Sequence, residues 1–199
     1  MRIITLEDHF VTPMMNDKRP PAPPGGAEGL AARGRELGHD IETELLDLTT
    51  SRIAAMDAAG IDLQVVSLTM PGTEAYPPDI AVPMARDANE RLYEAMRKHP
   101  DRFAGFAALP TADPDTSARE LERCVKEFGF KGAMIHGHTQ GAFLDEKKFW
   151  GIFETAEKLD VPIYLHPAMP HPDAIKAYFA GYEELQGSAW GFALDTSCH

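Results

Sequence analysis

Five short runs rich in β-branched and aromatic residues recur along the chain, at residues 2–7, 62–69, 102–109, 130–136 and 161–166. Helical spacing fills the stretches between them. Leu45, Leu48, Ile53 and Met56 mark one amphipathic segment, Leu121, Val125 and Phe128 a second, and Phe149, Ile152, Phe153 and Ala156 a third. Strand and helix in alternation predict a parallel sheet, because a parallel neighbour is reached only by a crossover long enough to hold a helix. The strands agree: VVSL at 65–68 and FAAL at 106–109 are nearly unbroken apolar runs, as strands covered on both faces require. Turn residues end a helix just ahead of a strand at Gly60, Pro100, Gly129 and Asp160. The reading is an α/β fold of five βα units with no internal repeat.

Composition narrows the function classes. With 44% hydrophobic and 25% charged residues, a chain of 199 can bury a substantial core. A formal charge of -12 repels phosphate backbones and anionic bilayers, so neither nucleic acid nor membrane is an expected partner. No run approaches the ~18 apolar residues of a membrane span, and MRIITLEDHF meets charge too early for a signal peptide, so the cytoplasm is the expected compartment. Cys124 and Cys198 are too few for a disulfide framework and are expected as reduced thiols in or near the core. Two stretches break the pattern. Residues 13–34, with PPAPPGG at 20–26, predict a long loop inserted after the first strand, either a surface excursion or an active-site lid or subunit contact. Residues 188–199 predict a helix with no capping signal, so the single α/β unit spanning 1–199 is expected to stop in mid-fold.

The chemistry-bearing residues gather at strand ends. A period of two puts Glu7 and His9 on one face of the first strand with Asp8 on the other, and a carboxylate beside an imidazole suits zinc or a similar divalent ion. His166 closes the fifth strand before Pro167. In parallel α/β sheets the ligand crevice lies at the carboxyl ends of the strands, the edge that Glu7, His9, His136 and His166 share. Each alone reads equally as a hydrogen-bonded core residue or a strand-end ion pair; together they predict a metal site. His136 and His138 flank Gly137; they read equally as hydrogen-bonded loop anchors or as residues that line the same cavity and touch substrate. His39, His99 and His171 sit beside helix ends or prolines, where capping or exposure accounts for them. The chain has no G-x-S-x-G elbow, phosphate-binding glycine loop, dinucleotide fingerprint or catalytic Cys-His signature.

Four motifs in order, LEDHF at 6–10, PDRFAGFAALP at 100–110, GFKGAMIHGHTQG at 129–141 and DVPIYLHP at 160–167, resemble the amidohydrolase-related metal-dependent decarboxylases and hydrolases. This group includes γ-resorcylate, 2,3-dihydroxybenzoate and aminocarboxymuconate-semialdehyde decarboxylases. The resemblance implies a (β/α)8 TIM barrel, of which this chain holds roughly the first five βα units. It implies Glu7, His9 and His166 as ligands of a divalent metal, zinc first and manganese second, and a small carboxylic acid as substrate, bound near His136, His138 and Trp190. The E-x-H form is that of the hydroxybenzoate branch, which favours decarboxylation over the hydrolase alternative; His136 stands where relatives often have asparagine. In the family a Gly-His motif and a Ser-Asp motif, the latter carrying the proton donor, follow the region where His199 lies. No catalytic acid or base is therefore assigned within these residues, and the 199-residue chain alone is expected to be inactive or a non-catalytic fragment. Relatives of this kind are commonly homo-oligomers.

Overall fold

The computed structural model describes residues 1–18, 34–168 and 171–181. Its strands form two parallel sheets of three. The first holds β1 (Ile4–Phe10), β2 (Leu63–Leu68) and β3 (Phe103–Gly105) in that order; the second holds β4 (Ala107–Ala108), β5 (Ala133–His136) and β6 (Ile163–His166). The run predicted as one strand over 102–109 is thus two, and Phe106 is the reason. Its N–H still bonds Val66 O on β2 at 3.0 Å, whereas the next residue, Ala107, bonds Gly132 O at 2.9 Å and begins the ladder with β5. One stretch of chain changes neighbour and so links the two sheets.

Helices occupy the crossovers, as the alternation predicts: α1 (Pro13–Lys18), α2 (Ile41–Leu46), α3 (Thr50–Ala59), α4 (Pro78–Lys98), α5 (Pro114–Phe128) and α6 (Trp150–Leu159); α7 (Pro172–Phe179) follows β6. Local chemistry sets their ends. Asp113 accepts a hydrogen bond from Thr116 N at 3.0 Å ahead of Pro114, and Gly129, at φ 74°, closes the same helix in the left-handed region. Two expectations are corrected. The segment through Leu45, Leu48, Ile53 and Met56 is two helices, because Asp47 accepts from the backbone N–H and hydroxyl of both Thr49 and Ser51, ending one helix and starting the next. The predicted loop at 13–34 opens as helix α1, seated by the fully buried Met15. The rest of that loop at 19–33, together with Trp190, Cys198, His199 and the helix expected at 188–199, lies outside the described residues.

Alternation along the strands separates two apolar layers. Phe10, Met56, Val66, Leu92, Leu121, Ile135 and Ile152 fill the space between sheets and helices, each large side chain contributing roughly 1.5–3 kcal/mol on burial. Val65, Ala104, Phe106 and Met134 form an inner cluster, with Leu63 and Tyr164 packed against it. Ser67, Ala108, His136 and His166 follow at the same strand parity, one step nearer the carboxyl ends. The inner face is therefore apolar at its base and polar at its mouth. Cys124 is a free, buried thiol in the outer layer.

Candidate functional site

β1 does not reach this mouth by simple alternation. It pairs Thr5 with Gln64 but Asp8 with Val66, three steps on one strand against two on its neighbour. The extra residue is a bulge, and Glu7 within it has φ 62°, a conformation that costs an L-residue roughly 1 kcal/mol. The strand then continues to Phe10, three residues beyond the predicted end. Arg52 of α3 holds the segment after the bulge, donating to His9 O at 2.6 Å and to Asp47 O at 2.8 Å. Asp8 turns to the opposite face, where it accepts from Gln64 Nε2 at 2.9 Å, and burial raises its pKa. His9 and Ser67 are register partners on the inner face.

Three histidines meet there. His9 Nε2 and His166 Nε2 are 3.1 Å apart; the His136 ring centroid lies 4.9 Å from that of His166 and 6.3 Å from that of His9. β5 and β6 bring His136 and His166 directly opposite each other. Each Nδ1 of the close pair has its own partner: His9 Nδ1 meets Ser67 Oγ at 3.1 Å, and His166 Nδ1 meets Pro167 O at 2.6 Å. A carbonyl oxygen only accepts, so His166 carries its hydrogen on Nδ1 and, when neutral, directs the Nε2 lone pair at His9. Burial, then repulsion from His166 and His136, lowers the His9 pKa to about 4; burial, then His136, lowers that of His166. Both are held as neutral imidazoles, the form that binds metals.

The predicted ligand set is only partly assembled. Glu7 Oε1 accepts a hydrogen bond from Tyr164 Oη at 2.6 Å, on the same strand as His166. As the side chains stand, no group of three or more His, Cys, Asp or Glu among the described residues converges to hold a metal ion. The pair itself fits one: two ligands about 2.1 Å from an ion at right to tetrahedral angles are roughly 3.0–3.4 Å apart, which spans the 3.1 Å between the two Nε2 atoms. His138 stands away from the trio. Its Nδ1 accepts from Gly141 N at 3.0 Å, and its ring packs on Phe143 and His171. His171 is the cap of α7, His99 ends α4, and His39 pairs with Glu44 at 3.0 Å, as their positions beside helix ends imply. Three neighbours escape a strand-end search: Ser67, Tyr164 and the buried loop residue Glu74. Tyr164 carries a signal, two residues before His166 on the same face; Glu74 carries none beyond following Pro71-Gly72.

Known proteins share this arrangement of strands. The γ-resorcylate decarboxylase of Polaromonas sp. is 41% identical over 167 residues, covering 80% of this chain and 51% of that protein. Its counterpart from Rhodococcus jostii is 39% identical over 210 residues, covering 98% and 59%. The crystal structure of 5-carboxyvanillate decarboxylase from Novosphingobium aromaticivorans, complexed with manganese and 4-hydroxy-3-methoxy-5-nitrobenzoic acid, aligns with a TM-score of 0.85 at 37% identity over 100% of this chain and 58% of that one. Dihydroxybenzoic acid decarboxylase from Polaromonas sp., with bound manganese and 2-nitroresorcinol, aligns with a TM-score of 0.80 at 36% identity over 99% and 58%. The chain spans between half and three-fifths of the length of these relatives. The family profile described as amidohydrolase matches residues 9–193, and by that match and these identities the chain belongs to the amidohydrolase family.

Proposed function

We propose that the protein is a metal-dependent, non-oxidative decarboxylase of a hydroxylated aromatic or related unsaturated carboxylic acid, and that its strands are the first five units of a (β/α)8 barrel. The observation that carries this reading is the approach of His9 and His166, neutral and each oriented through Nδ1, at the carboxyl ends of parallel strands. Its similarity to decarboxylases of hydroxybenzoates supports the reaction class. His9 and His166 would hold the ion, with Glu7 as third ligand once released from Tyr164. Imidazole and carboxylate suit zinc or manganese, and manganese is bound in two of the similar enzymes. When bound, the ion supplies an electrophile for the substrate carboxylate and an adjacent hydroxyl oxygen.

The chain's own residues do the rest of the positioning. Ser67 and the Pro167 carbonyl fix the two imidazoles, and Tyr164 is the partner that Glu7 gives up on binding the ion. Phe106 and Met134, in the apolar cluster that Tyr164 packs against, form the apolar base of the inner face below them. His136, and on the resemblance His138 and Trp190, would contact the acid. The proton delivered to the ring carbon comes, on the same resemblance, from a residue outside this stretch, so the 199 residues alone are expected to be inactive. A homo-oligomer working in the cytoplasm completes the reading.

The test is product analysis. The protein expressed from its whole reading frame, loaded with zinc or manganese, is expected to release carbon dioxide and resorcinol from 2,6-dihydroxybenzoate, and to stop on chelation. Hydrolysis of esters or lactones without carbon dioxide release from any hydroxybenzoate would replace this assignment with a hydrolase.

A further inference from the structure

Behind His136 lies a second acidic contact. Glu74, in the loop between β2 and α4, is 2% exposed, and His136 is 4% exposed. Glu74 Oε1 accepts the backbone N–H of His136 at 3.0 Å and lies 3.8 Å from its Nδ1. Glu74 Oε2 and both ring nitrogens of His136 are buried without a hydrogen-bond partner. Gly72, at φ 64°, permits this approach: a Cβ there would collide with Glu74 Oε2 and stand 2.6 Å from His136 Nδ1. An unpaired buried carboxylate oxygen and an unpaired buried imidazole nitrogen are each costly, and here they border the same point. At 3.8 Å from Oε1, Nδ1 is not hydrogen-bonded to the carboxylate as the side chains stand, but a hydrogen on Nδ1 aimed at it gains a charge-assisted partner on a small approach of the two. It leaves Nε2 as a lone pair on a ring whose neighbours are His166 and His9.

We propose that Glu74 is a positioning residue and His136 a specificity-determining one: Glu74 holds the Nδ1–H tautomer of His136, whose Nε2 accepts a hydrogen bond from a ring hydroxyl of the bound acid. This rests on the hydroxy-acid reading above and adds a polarity to it. A lone pair on Nε2 selects a hydroxyl, which can donate, over an ether oxygen at the same ring position, which cannot.

Two measurements test it, the first without any substrate. In the zinc-loaded protein with 15N-labelled histidine, long-range 1H–15N NMR, with His136 assigned by its loss in His136→Asn, is expected to report the Nδ1–H tautomer. Glu74→Gln should convert it to Nε2–H, because the glutamine oxygen can still accept the His136 backbone N–H while its amide donates to Nδ1. A purely structural Glu74 would not move the tautomer, so Nε2–H in the wild type, or no conversion in Glu74→Gln, overturns the proposal. The second measurement is calorimetric titration with 2,6-dihydroxybenzoate and with 2-hydroxy-6-methoxybenzoate. The affinity ratio favouring the dihydroxy acid should fall about ten-fold in Glu74→Gln, equivalent to about 1.4 kcal/mol, and fall likewise in His136→Asn. Glutamate and glutamine are isosteric, so the bulk of the methyl group cancels from the comparison of Glu74→Gln with wild type. An unchanged ratio in both variants overturns the role of His136. Should neither acid bind, the substrate reading fails and the hydroxyl contact with it, while the tautomer result still decides the part played by Glu74. If Glu74→Gln does not fold, the wild-type tautomer and the ratio in His136→Asn decide.

Discussion

Asn89, 1% exposed on α4, acts as a substitute strand neighbour for β4. Its Oδ1 accepts from Ala108 N at 2.9 Å, and its Nδ2 donates to Ala108 O at 3.0 Å and to Glu120 Oε1 at 2.8 Å. Asn89→Ala removes all of these and leaves the N–H and C=O of Ala108 buried and unpaired, at about 1–3 kcal/mol each. Glu120 keeps its bonds from Arg123 at 2.6 and 2.9 Å and so adds little to the loss. The expected destabilisation is about 4 kcal/mol, which at roughly 2–4 °C per kcal/mol for a domain of this size lowers the melting temperature by about 10 °C. Calorimetry and urea unfolding would measure it. Asn89→Asp supplies the diagnostic contrast. It retains the acceptor for Ala108 N but sets a carboxylate oxygen against Ala108 O and Glu120 Oε1, so near neutral pH it should be no more stable than Asn89→Ala. A melting temperature within about 2 °C of wild type for Asn89→Ala, or Asn89→Asp the more stable of the two, would refute the reasoning. Ala108 also lines the cleft with Glu74 and His136, so the same substitution is expected to loosen the wall of the candidate site.

Other consequences are as direct. Burial pushes the Glu120 carboxyl upward, but hydrogen bonds from Arg123 and Asn89 outweigh it, and its pKa falls below the ordinary 4.5. The folded chain therefore takes up this proton at lower pH than the unfolded one: the stability Glu120 contributes is present above about 4.5 and is lost as the pH falls through the folded value. The difference in urea midpoint between wild type and Glu120→Gln should accordingly narrow on acidification; a widening gap would contradict the sign. Burial, then the charge of Glu120, raises the Cys124 thiol far above the range of free cysteine. In a Cys198→Ser background it should resist thiol reagents in the folded protein and react on unfolding, and labelling at the rate of a small-molecule thiol would count against that burial. On the metal reading, Ser67→Ala should weaken metal affinity about 10-fold by freeing His9 Nδ1, and His166→Ala should weaken it further. His171→Ala should retain full metal content, and equal content in all three variants would dismiss the site.

How much of this was legible in the sequence depended on the range of the interaction. Periodicity located the strand runs among the described residues, most clearly from β2 to β5, where burial on both faces writes itself into consecutive residues. It missed events that one residue decides by bonding: the bulge at Glu7, the helix break at Asp47 and the change of neighbour at Phe106. His9 and His166 were identifiable because each stands at a strand end, yet their approach joins residues 157 apart and is produced by the order of the strands, not by either local motif. Glu7 shows the limit most plainly. Alternation sent it to the same face as His9, but that argument requires a flat strand, and the backbone between Thr5 and Asp8 is not flat. It nevertheless reaches across to β6, because the bulge re-aims its side chain at Tyr164. Glu74 had no periodic context at all: it lies in a loop, 62 residues from the strand end it bonds, and only the absence of a Cβ at Gly72 lets the two approach. A residue placed by one backbone hydrogen bond and one missing carbon leaves no pattern in the chain around it, which is why the part of the site built from strand ends could be read in advance and the part built from loops could not.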